Sequence, residues 1–177
     1  MKLNKKGYML VEIVISSVLA MSIALYLLNL TYQFKNKNED IYQSISYSSD
    51  KIAITKNIMN DLDNQIITNI KNNGTSEVIL MSNSGTSEEK RKIKITSPST
   101  DISQNKQITI TYGKIDNNNN FDTTDVSYYQ KKLQKSLLFK GIEIDKLSNP
   151  NIATIKIKLE SMYTKDDYSI NLFIKKQ

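Results

Sequence analysis

Few residues in this chain have the type and spacing to do chemistry, and the most informative is a lone acid. Lys5 and Lys6 stand before Gly7, and Tyr8-Met9-Leu10-Val11-Glu12 follows. From Tyr8 to Leu30 there are 23 residues with a single charge, that of Glu12. Asp near the centre of a membrane-spanning helix costs roughly 2.5–3.5 kcal/mol, Glu by analogy costs the same, and a position near one end costs less. An acid kept in such a run suggests a partner of opposite charge. The sequence has no Cys and no His, so the common nucleophile–base pairs and most zinc sites are ruled out. Its serines and carboxylates show no catalytic spacing. The chain reads as a non-enzyme without cofactor or resident metal.

Two other stretches invite a chemical reading. Asp116-Asn117-Asn118-Asn119-Asn120-Phe121-Asp122 sets oxygen side chains at alternate positions, as a calcium loop does. The sixth position is Phe121 where such a loop needs Gly, and the twelfth is Ser127 where it needs Glu, which favours a solvated hairpin loop. Lys90, Arg91, Lys92 and Lys94, with Lys131, Lys132, Lys135 and Lys140, are cations able to meet nucleic-acid phosphates, and Tyr128 and Tyr129 could stack bases. Glu88 and Glu89 partly cancel the first group, and a solvated strand face is the favoured reading of both.

The elements that must position these residues follow from hydrophobic period. Tyr8 to Leu30 is long enough, at roughly 1.5 Å per residue, to cross a hydrocarbon core of about 30 Å. Beyond Leu30 the chain turns polar, with no proline before Asn73. Ile41, Ile45, Ile52, Met59, Leu62, Ile66 and Ile70 recur at helical intervals, with Asp50, Asn57, Asp61 and Asn64 on the other side and Ile54 and Ile58 off the stripe. The expectation is one helix from Tyr8 to Asn73, its end marked by Gly74. Its parts are a leader (1–7), a transmembrane half (8–30) and an amphipathic half (31–73), followed by a β-sheet domain (74–177). Val78–Met81, Lys92–Thr96, Ile108–Tyr112, Ile152–Leu159 and Tyr168–Ile174 read as antiparallel strands, with turns at Asn83-Ser84-Gly85, Pro98 and Asp166-Asp167. Val126–Tyr129 and Ile142–Ile144 also read as strand, while Lys131–Phe139 suggests a helical turn or two. An α+β chain results, with an antiparallel sheet laid on the amphipathic half of the helix.

The run Lys-Lys-Gly-Tyr-Met-Leu-Val-Glu, continued as an uninterrupted apolar segment, resembles the class III signal of type IV prepilins and pseudopilins. The resemblance covers Lys5 to about Leu30; beyond that it concerns layout, which is also pilin-like. It implies that a prepilin peptidase cuts between Gly7 and Tyr8 and methylates Tyr8. It also implies that Glu12 is the acid on which assembly depends, and that the partners are the peptidase, other pilin subunits, their assembly machinery and, before assembly, membrane lipid. The implied product is a minor pilin or competence-type pseudopilin serving DNA uptake, adhesion, motility or secretion. It would begin as a single-pass precursor with its N-terminus in the cytoplasm and end in a surface fibre. This sequence departs from the family by having Asn29 where a late proline is common, and by lacking paired C-terminal cysteines.

Removing Met1 to Gly7 exposes an α-amino cation at a helix N-terminus, and that cation can pair with Glu12 within a chain or between staggered neighbours. Removal also lowers the net charge from +6 to +3. An ordinary secretory signal has a shorter apolar region. A single-span anchor bearing a ligand-binding β domain accounts for the hydrophobicity and the lysines, though not for Gly7 and Glu12 in register.

Overall fold

The computed structural model describes residues 5–84, 87–97, 107–146, 151–162 and 164–176. Helix α1 is Lys5–Leu62, and eight strands follow: β1 Ile66–Asn72, β2 Glu77–Ser84, β3 Ser87–Thr96, β4 Thr109–Lys114, β5 Tyr129–Lys132, β6 Leu137–Lys146, β7 Ile152–Ser161 and β8 Asp167–Lys175. The fold class is α+β, one long N-terminal helix followed by antiparallel sheet, as the hydrophobic periods require. Two compact units divide the chain, Met1–Tyr42 and Gln43–Gln177.

The helix ends eleven residues before Asn73. Asp63 N–H still donates to Met59 O, but Asn64 N–H turns to Asp61 O and Gln65 N–H to Leu62 O, which tightens the last turn. The segment read as the last helical turns is β1, paired antiparallel with β2 from Ile66↔Asn83 to Asn72↔Val78. Ile67 and Ile70 are β-branched residues that suit a pleated surface, and Ile67 is fully buried there.

The sheet is not single. Strands β1 to β5 form one sheet in sequence order and β6 to β8 another, with a parallel bridge between Ile67 and Lys176. Inward faces follow the expected alternation: Val78 and Leu80, Ile93 and Ile95, Ile110 and Tyr112, Ile155 and Ile157, and Ile170 and Leu172 are all buried. Each side chain of this size contributes about 1.5–3 kcal/mol through burial. β4 runs through Gly113 instead of stopping before it. A Cβ there would lie 3.3 Å from both the Cα and a ring carbon of Tyr128, so the lack of a side chain lets the 122–128 loop approach.

Three local expectations change. Val126, Ser127 and Tyr128 lie in a turn, and Lys131–Phe139 is strand, turn and strand with no helix. Asn83 and Ser84 are the last paired residues of β2, opposite Glu88 and Ser87. Gly85 and Pro98 lie outside the described residues, as does most of the leader, Met1 to Asn4.

Of the expected stripe in α1 within Gln43–Gln177, Leu62 is buried and Met59 packs on the core, but Ile45 and Ile52 face away from it. Tyr47, Ile54, Ile58 and Leu62 enter the core, whereas Ile45 and Ile52 are 62% and 67% exposed. Ile45 and Ile54 are nine residues apart, two and a half turns, and so lie on opposite sides. Asp50 and Asp61, assigned to the solvated side, face the strands. Asp50 Oδ1 is 3.0 Å from Lys131 Nζ, and Asp61 Oδ2 is 2.7 Å from Arg91 Nε.

Candidate processing and assembly site

Lys5, Lys6 and Gly7 form the start of α1, and Tyr8 and Glu12 follow in the same helix. The Gly7–Tyr8 peptide bond therefore lies within the helix. Glu12 is four positions after Tyr8, so both lie on one helix face about one turn apart. Both are exposed, Tyr8 at 72%, and no side chain described in the structure pairs with Glu12.

Along the rest of the apolar run and just past it, three hydroxyls turn inward to the helix's own carbonyls. Ser17 Oγ donates to Val14 O, Ser22 Oγ to Val18 O and Thr31 Oγ1 to Leu27 O, each at 2.8 Å. Hydroxyls satisfied in this way cost little in an apolar environment. Leu10, Val14, Leu19, Leu25 and Leu28 are all exposed. The helix is long and apolar enough, by length and composition, to cross a membrane. Glu12 is the one group in this segment whose charge the chain leaves uncompensated among the described residues.

The 116–122 loop folds around its own carboxylates. Asp116 Oδ1 accepts the N–H groups of Asn118 and Asn120 at 2.8 Å each, and Asn119 takes φ 62° in the turn between them. Asp122 Oδ1 accepts from the hydroxyl and N–H of Thr124, which hold its carboxyl below the usual range. Asp125 is held low in the same way, by Ser127. These oxygens are occupied as turn caps. Among the described residues no three acids gather in one place. Phe121 is half-buried, with Lys92 Nζ 4.8 Å above its ring and Tyr128 against its edge.

Most of the cations considered for phosphate binding are engaged within the protein. Lys92 is buried and donates to Asn119 O, Lys94 pairs with Glu77, Lys131 with Asp50, and Lys140 with Glu160. Arg91, 5% exposed, sits at the centre of a network spanning helix and sheet. Besides Asp61, its Nη1 donates to Ser82 Oγ and Glu89 Oε2 at 3.0 Å, while Lys114 Nζ reaches Glu89 Oε1 at 3.1 Å. Tyr112 donates its hydroxyl to Asp61, and burial, then that carboxylate, pushes its own ionisation far up. The chain contains no periodic signal for this cluster, because Asp61 and Arg91 are joined only by tertiary folding.

No family model, curated protein or solved structure matches the chain.

Proposed function

We propose that the chain is a structural subunit of a type IV pilus-like fibre, a minor pilin or pseudopilin. It would be trimmed after Gly7 by a prepilin peptidase and methylated on Tyr8. The observation that carries this reading is Glu12: an exposed acid one turn from Tyr8, at the start of a helix otherwise apolar to Leu30. Cutting before Tyr8 creates the cation this acid lacks, at the positive end of the helix dipole. In a bundle the α-amino group of one subunit meets Glu12 of its own or a neighbouring chain. An unpaired charge in lipid is costly, so that meeting selects the register of assembly.

Two further features support a bundled helix. The apolar side chains of residues 8–29 are exposed, and Ile45 and Ile52 lie exposed beside Ser44, Ser48 and Ser49 on the side away from the core. Small residues beside isoleucines let helix backbones approach closely. The precursor would sit in the cytoplasmic membrane with its N-terminus inside, and the assembled subunit on the cell surface. Its work would be mechanical, with no catalysis.

Replacing Glu12 with Gln tests the proposal. The variant should insert in the membrane at wild-type level yet fall at least several-fold in the sheared fibre fraction. Equal incorporation of the variant would contradict it.

A further inference from the structure

We propose that the Asn73–Gly74 turn is a self-modifying site, where Asn73 converts to aspartate and isoaspartate with water as the only co-reactant. This is the only Asn-Gly pair in the sequence. It lies in the connection between β1 and β2, where both residues are exposed to water. Gly74 holds φ at 82°, a conformation that L side chains rarely adopt, and it brings no side chain of its own to crowd the bond between the two residues. Asn73 is held from both ends: its N–H donates to Glu77 O and its Nδ2 to Glu77 Oε2, each at 2.9 Å. Glu77 is itself fixed by Lys94 at 3.1 Å.

The chemistry is ring closure followed by hydrolysis. The Gly74 nitrogen loses its proton to solvent and attacks Asn73 Cγ. The N–Cγ bond forms, the Cγ–Nδ2 bond breaks, and the amide leaves as ammonia after taking up a proton. Water then opens the five-membered imide at either carbonyl. One opening gives Asp at position 73; the other routes the main chain through Cγ and adds a methylene to the backbone. Asn72, Asn83 and Asn120 precede residues with side chains, which crowd the same attack.

Both products disturb what the turn holds. A carboxylate at position 73 faces that of Glu77 across the distance now closed by a hydrogen bond, and like charges so close repel. The extra methylene of isoaspartate shifts the two residues that follow. Thr75 O accepts the N–H of Ile142 in β6 at 3.3 Å, and Ser76 O accepts that of Ile95 in β3 at 2.8 Å. Conversion thus loosens a turn that touches both sheets, and it requires neither processing nor assembly.

The test incubates the full chain in detergent micelles at neutral and mildly alkaline pH. Peptide mapping for a gain of one mass unit is combined with isoaspartyl methyltransferase labelling. Conversion at residue 73 should lead that at Asn72, Asn83 and Asn120 several-fold and quicken at the higher pH, and Asn73→Gln should abolish most of the label while keeping the wild-type circular dichroism. An unchanged Asn73 after other asparagines have converted would overturn the proposal, as would undiminished label in the variant.

Discussion

Arg91 takes its charge into the interior with three acceptors around it: Asp61 from the helix, Glu89 from its own strand and Ser82 from the neighbouring one. A buried guanidinium is tolerated only on those terms, since removing one partner leaves an uncompensated charge. Glu89 serves two cations, and its hydrogen bonds from Lys114 and Arg91 hold its carboxyl below the ordinary glutamate value of 4.5. The sign of the linkage follows. A carboxyl lowered by folding contributes stability that is complete above its unfolded value and declines as pH falls toward its folded one. Acid titration of the full chain in detergent should therefore show stability falling below about pH 4.5, and Glu89→Gln should make that fall shallower. Chemical denaturation at stepped pH measures both slopes; identical slopes would remove Glu89 from the account.

At the scale of elements, the helix face makes a sharp mutational comparison. Ile58→Ala should cost about 2–5 kcal/mol, as other core truncations do. Ile52→Ala on the opposite face should stay within about 0.5 kcal/mol in the unassembled subunit. Equal losses would mean that the helix packs with a different phase. The comparison also shows why the sequence was legible in some elements and not in others. Strands β7 and β8 were readable because Ile155, Ile157, Ile170 and Leu172 alternate with polar residues, and alternation has one interpretation. The amphipathic half of α1 carries isoleucines on two faces, and period alone cannot choose between them. Counting Ile66 and Ile70 as helical tipped the choice toward the wrong face. The buried face is the one with Asp50 and Asp61, whose partners Lys131 and Arg91 arrive from distant strands and leave no trace in local spacing. The strand at Ile66–Asn72 was hidden by the same ambiguity, since nothing but a shortened last turn separates it from the helix. At the candidate site, Gly7, Tyr8 and Glu12 are close in sequence and one helix carries them all, so their proposed grouping needs no tertiary contact.

The molecule as a whole combines a unit whose apolar surface is uncovered with a unit whose core is complete. In Gln43–Gln177 the sheets and the last turns of α1 bury one another around Ile54, Ile58, Leu80 and Ile157. In Met1–Tyr42 the helix exposes its apolar side chains and is long and apolar enough to cross a membrane. Glu12 lies on that exposed helix, and the account rests on its partner being created by proteolysis. The mass of the mature N-terminal peptide, from cells that contain a prepilin peptidase, tests this most directly. The account predicts a chain that begins at Tyr8 and carries one methyl group on its amine. A mature chain that still begins at Met1 and retains Lys5 and Lys6 would contradict it, and would leave a membrane-anchored β domain in its place.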